Sequence, residues 1–342
     1  MRQEVNLVLA AACCSLVLIA QSFAQDASLR WRELDAALNA EPFTSSIIAF
    51  ELVKGSGPQL VAARAPDRSL SIGTTAMVWT HLALLEAAAN NELPWDAPIL
   101  FDSAIKTWPR SDSYELPEGI ALPVAEWTRR MMSQTDNIAA DHLIAIIGAD
   151  RIESTRDRVR AGLWEGAGPR RAPVGGEPFL TTAQFHALKC NVDLKVLDCY
   201  AYSGLDERRR ILEDQRLLAL MSEQVMANWF NPLYIETVGW FATSRELAAA
   251  AIEVDLLTAS PGMEPAAQAW RLPAAEHPQG PWARVHGKLG GEPGALAGVW
   301  LLERRDGRRF VLAMIFNNPR QIVPEHLGVR YIQRTLATLA VQ

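Results

Sequence analysis

The spacing of apolar positions along the chain changes twice. Two early runs, SSIIAFELV (45–53) and QLVAARA (59–65), read as strands separated by the turn Gly55–Pro58. From Thr75 to about Ser260 the apolar residues recur at helical spacing. Helices are predicted on both sides of Asp136, and in TTAMVWTHLALLEAAAN, IESTRDRVRAG, TTAQFHALK, DERRRILEDQRLLALMSEQ and SRELAAAAIEVDLL, several with Ser, Thr or Asp in capping position. Strand-like runs then return as WARVHGKLG, ALAGVWLLERR and RRFVLAMIFNN, with turns at Gly290–Gly294 and Asp306-Gly307. A helix with Leu29, Leu34 and Leu38 on one face opens the globular part, and an amphipathic helix starting at Pro324 closes it.

Strands early, strands late and helices between predict a mixed α/β (α+β) fold. Five strands form one antiparallel sheet, the terminal helices pack on one face, and an all-helical lobe is inserted. The expected sheet lobe is 25–73 with 280–342, and the helical lobe is 74–279. The sheet edge facing the helical lobe is the natural cleft. Gly162–Pro178 reads as a long loop and Pro261–Pro281 as an irregular connection.

Residues 1–24 change the picture of where the chain works. Arg2, the apolar run Leu7–Ala20 and the small-x-small site Ser22-Phe23-Ala24 have the layout of a secretory signal peptide. That predicts cleavage near Ala24, a mature domain over 25–342 and a periplasmic or secreted protein with no membrane span after cleavage. In such a compartment Cys190 and Cys199 are expected as a disulfide, with buried free thiols as the alternative. A net charge of −6 without a basic stripe argues against nucleic acid as partner. Arg208-Arg209-Arg210 reads as a solvated helix face. The six histidines are dispersed without metal-ligand spacing, and neither metal nor cofactor is expected.

Three stretches carry candidate chemistry. Thr135-Asp136-Asn137 sits in a polar turn between two helices, HGKLGGEPGALAG (286–298) puts Lys288 and Gly290 on a strand that ends in a turn, and Thr74-Thr75-Ala76-Met77 opens a long apolar helix. Their order and context resemble the penicillin-recognising serine hydrolases, the class A β-lactamases and related β-lactamase-like periplasmic proteins. Those carry Ser-x-x-Lys at a helix start, then Ser-Asp-Asn, then Lys-Thr-Gly or a relative of it. The segments KTWPRSDSYELPEG (106–119), PFLTTAQFHALK (178–189) and VGWFATSREL (238–247) add to the resemblance, which spans most of the mature chain.

The departures decide what the resemblance implies. The nucleophile position reads Thr74 and the lysine position reads Met77. Positions i and i+3 share a helix face, which is why a base is needed at that spacing. Threonine adds a methyl that stiffens χ1, and methionine has no proton to exchange. An alcohol without a base is a poor nucleophile near neutral pH. The literal match Ser103-Ala104-Ile105-Lys106 lies in a post-helix loop and reads as chance, and Ser71 has no lysine partner.

By resemblance, Thr135 keeps a hydroxyl, Asp136 braces the turn and caps the next helix, and Asn137 hydrogen-bonds a substrate amide. Lys288 faces the cleft, unless it is an ordinary exposed strand residue. Glu165 and Glu177 precede the FLTT-like segment without the context of a deacylating glutamate, and each reads as a surface residue. Trp79, Trp164 and Trp240 are expected in the core, with pocket lining as the alternative. The resulting expectation is a protein that binds a β-lactam- or peptidoglycan-like acyl-amide ligand, or a protein partner, with little or no hydrolysis. The alternative is an active amide or ester hydrolase using Thr74.

Overall fold

The computed structural model describes residues 27–105, 111–163, 177–214, 229–272 and 280–342. Its centre is one five-stranded antiparallel sheet in the order β2-β1-β9-β8-β7. The strands are β1 (Thr44–Val53), β2 (Gly57–Arg64), β7 (Trp282–Glu292), β8 (Ala295–Arg304) and β9 (Arg309–Asn317). The intervening β3 (Leu70–Ser71) pairs with β6 (Phe241–Ala242), and β4 (Pro98–Leu100) with β5 (Ala121–Pro123).

The two-residue period of the strands sorts their side chains between two cores. On β9, Phe310, Leu312, Met314 and Phe316 join Leu34 and Leu38 of the opening helix (27–39) and Tyr331 and Leu336 of the closing helix Glu325–Leu339. The alternate residues Val311, Ala313 and Ile315 join the larger core of the helical region. Strand β8 divides in the same way, with Trp300 and Leu302 on one side and Val299 and Leu301 on the other. Both faces being covered explains why β9 is buried along nearly its whole length.

The helix Met77–Ala89 runs through the larger core, buried on almost all sides. It packs against Ser244–Thr258, which also lies on the sheet, and against Ala149–Leu163. The helices Val124–Gln134 and Asn137–Ile147 meet at Thr135, which Lys288 of the edge strand β7 contacts; the junction of these helices, β7 and the turn Gly73–Ala76 is the candidate cleft.

Several expectations need correction. The stretch read as irregular contains a helix, Glu264–Trp270, with Pro265 in its first turn, where a missing N–H leaves nothing unpaired. The apolar helix expected from Thr75 begins with a single 3-10 turn, Gly73–Ala76. Strand β7 runs through both glycines to Glu292. Cys190, at the end of helix Thr182–Cys190, and Cys199 on Leu194–Tyr202 are free thiols. Arg208 is not a solvated residue: its guanidinium is buried, donating to the Ala201 carbonyl at 2.9 Å and pairing with Glu177 at 3.4 Å. The signal-like segment, Lys106, Trp164, Glu165 and the second half of the helix expected over 206–224 lie outside the described residues.

Candidate functional site

The first wall of the cleft is the turn Gly73–Ala76, fixed from three sides. Ile72 N–H donates to the Trp240 carbonyl at 3.0 Å, continuing the β3–β6 pairing. Thr75 Oγ1 donates to the Ala297 carbonyl on β8 at 2.8 Å. The end of β7 lies against the turn backbone to backbone. A Cβ on Gly290 would stand 2.5 Å from Thr74 Oγ1, and one on Gly73, whose φ is +49°, would stand 2.5 Å from the carbonyl carbon of Gly291. Glycine is required at both positions because no side-chain carbon fits between turn and strand.

This packing leaves Thr74 half-buried at the cleft, with no hydrogen-bond partner for its hydroxyl among the described residues. Met77, one turn on, is buried. Together with Thr74 and Thr80 it borders a remnant void of about 10 Å³ lined by Ala140, Ile144, Phe179, Thr182 and Trp240. A void of that size holds at most one water molecule. That lining has neither a carboxylate nor an amine. Trp240 closes the lining with its indole N–H donated to the Leu180 carbonyl at 3.1 Å.

The second wall keeps its polar groups. Helix Val124–Gln134 ends at Thr135 in the left-handed region, φ 56° and ψ 38°. For a β-branched residue that conformation is strained. Asp136 then caps the next helix: its Oδ1 accepts from Ala139 N–H at 3.0 Å and its Oδ2 from Ser113 N–H at 2.9 Å, tying turn and preceding loop together. Asn137 N–H donates to Ser111 Oγ at 3.2 Å, and its carbonyl accepts from Thr182 Oγ1 at 3.1 Å. The side-chain Oδ1 of Asn137 is buried without a partner among the described residues. An orphaned acceptor of this kind costs about 1–3 kcal/mol unless a ligand or water supplies a donor.

Lys288 reaches this wall from β7. It is 2% exposed, which removes the reading of it as an ordinary surface residue, and its Nζ donates to Thr135 Oγ1. No carboxylate pairs with it among the described residues, and burial alone pushes its pKa down to about 7. Thr135 and Lys288 are therefore brought into contact, as are Thr74 and Gly290. Met77 lies beside Thr74, among apolar side chains.

The remaining candidates are placed elsewhere. Glu177 is not on the surface; its side chain is 12% exposed and paired with Arg208, and burial raises its carboxyl to about 7 against the pull of the arginine. Trp79 is core. Ser103 opens a short 3-10 turn, and its N–H donates to Glu118 at 2.8 Å.

Sequence reasoning missed a buried cluster at the far end of β7. There Glu292 accepts from Ser71 Oγ at 2.5 Å and pairs with Lys189 at 3.0 Å, both charged side chains being 0% exposed. Lys189 also donates to the Leu233 carbonyl and lies 5.4 Å from the Phe185 ring centre. No spacing signals this cluster, since its members come from three distant segments.

Residues 29–162 match the model of the Beta-lactamase enzyme family. Among curated proteins no sequence matches the chain. In fold the chain is similar to the β-lactamase from Sphaerobacter thermophilus, with a TM-score of 0.58 and 16% identity over 90% of this chain and 95% of that one. It is also similar to PBP-A (TM-score 0.60, 12% identity, 91% and 95% covered) and to a class A β-lactamase from Mycobacterium abscessus (0.57, 14%, 91% and 99%). The sequence match over residues 29–162 and the shared fold together make this chain similar to the β-lactamase-like serine hydrolases.

Proposed function

We propose that the protein is a β-lactamase-like binding protein that recognises an acyl-amide ligand of β-lactam or peptidoglycan type and does not acylate itself at Thr74. The observation that carries this reading is the asymmetry of the cleft. One wall offers an unpaired acceptor on Asn137 and a buried amine on Lys288. The other has Met77 at the lysine position, beside a small void whose lining contains neither an amine nor a carboxylate. Loss of a positioned base alone lowers an acyl-transfer rate by roughly 10²–10⁴-fold.

The ligand's amide N–H would satisfy Asn137 Oδ1. The signal-like start favours a periplasmic or secreted setting. No helix among the described residues is long and apolar enough to cross a membrane.

The test pairs binding with turnover. Benzylpenicillin, and a peptide ending in two D-alanines, should raise the melting temperature of the protein while nitrocefin is not hydrolysed. Asn137→Ala should remove the shift. Nitrocefin turnover abolished by Thr74→Ala would instead establish a hydrolase.

A further inference from the structure

Among the described residues a single hydroxyl bordering the cleft touches an amine, and it is Thr135 rather than Thr74. We infer that Thr135, with Lys288 as its base, is an acyl acceptor toward activated esters, a reactive pair displaced from the turn wall to the opposite one. The inference rests on the cleft reading above, because the acyl donor must enter the same cleft.

Three observations converge on it. Thr135 is the cap of its helix held in the left-handed region, a strained conformation for a β-branched residue. Lys288 is fully buried against that hydroxyl without a carboxylate to hold it as a cation. Burial brings its pKa to about 7, so a large fraction is the free amine at neutral pH. In that form the contact reverses, and the hydroxyl donates to the amine lone pair.

The charged groups on neighbouring elements are committed elsewhere. Arg130 pairs with Glu126 at 2.8 Å, and Asp136 holds the Ser113 and Ala139 N–H groups. On β7, Glu292 pairs with Lys189 and Arg284 with Glu303 of β8. Arg304 pairs with Asp306, and Glu264 on the short helix is exposed. His286 is held near 4 by burial and is uncharged at neutral pH. The turn Gly73–Ala76 carries no charge.

The step is an acyl transfer. Thr135 Oγ forms a bond to the acyl carbon while Lys288 Nζ takes the hydroxyl proton. The bond from acyl carbon to leaving-group oxygen then breaks, and the alkoxide or phenolate departs, with Lys288 able to return the proton to it. The product is an acyl-threonine and a released alcohol.

The experiment treats the full chain with 4-nitrophenyl acetate and maps the acetyl group by peptide mass spectrometry. The expected result is acetylation of Thr135, at a rate that rises with pH through about 7 as Lys288 loses its proton. Lys288→Met should slow labelling by about 100-fold or more. Thr135→Val should abolish it; if that variant does not fold, Lys288→Met carries the test.

Acetyl found on Thr74 or on Lys288 itself with Thr135 unmodified overturns the inference. So does labelling of Thr135 that is as fast in Lys288→Met as in the unaltered protein. Failure of labelling with the benzylpenicillin-induced stabilisation intact sinks this inference alone; failure of both sinks the cleft reading beneath it.

Discussion

Lys189 and Lys288 are both buried lysines associated with strand β7, and the protein treats them differently. Lys189 is partly compensated: Glu292 pairs with it at 3.0 Å, the Leu233 carbonyl accepts from it, and the Phe185 and Trp229 rings flank it, while burial still holds its pKa below the ordinary lysine value. Its position ties the helix Thr182–Cys190 to the end of β7 and, through Glu292, to Ser71 just before the turn Gly73–Ala76. Among the described residues Lys288 has only the Thr135 hydroxyl. An amine buried without a counter-ion weakens the fold, and such groups persist where they serve a ligand or a reaction. Lys189 is a strut and Lys288 the proposed site, a distinction that residue type alone does not make.

The largest test breaks the strut. Glu292→Gln leaves the Lys189 ammonium buried and unpaired, and should lower stability by about 3–5 kcal/mol in a denaturant titration. A loss below about 1 kcal/mol would mean that the cluster relaxes easily and that the comparison has no energetic content.

The next test adds an amine where the fold has none prepared. Thr74→Ser with Met77→Lys supplies both residues of the family's first motif, but the new ammonium would sit among Ala140, Ile144, Phe179 and Trp240. The double variant should lose about 3 kcal/mol of stability and still not turn over nitrocefin. Recovery of hydrolysis would show that the two side chains, and not their surroundings, limit turnover.

The smallest effect sharpens the contrast by its sign. Lys288→Met removes an uncompensated buried amine and should raise stability by about 2 kcal/mol at neutral pH. Because the folded-state pKa is lowered from 10.5 to about 7, the unfolded chain holds a proton that the folded chain has released between those values. Stability of the unaltered protein therefore rises with pH across that window. The advantage of Lys288→Met should be greatest below about pH 7 and shrink as pH approaches 10, which paired thermal melts would read directly.

The sequence made the sheet legible because alternation along β1, β8 and β9 sorts side chains between two cores, and because turn residues mark the ends of those strands. The turn Thr135–Asn137 was legible as a helix junction with Asp136 as its cap, a local hydrogen-bond pattern written in neighbouring residues. What local pattern cannot encode is which distant group meets which. The Glu292–Lys189 pair and the burial of Arg208 against Glu177 depend on segments far apart in the chain. The free state of Cys190 and Cys199 belongs to the same class, since spacing permitted a bridge that the helices carrying them do not form. The helix Glu264–Trp270 was hidden by Pro265, which is a breaker inside a helix and compatible with its first turn.

In the proposed function, recognition survives on one wall of the cleft while the acylation pair is gone from the other. Peptide-mapped mass spectrometry after exposure to benzylpenicillin, run beside a thermal melt of the same sample, tests it most directly. The expected result is a ligand-dependent rise in melting temperature with the peptide carrying Thr74 unmodified. A stable penicilloyl adduct on Thr74 would contradict it.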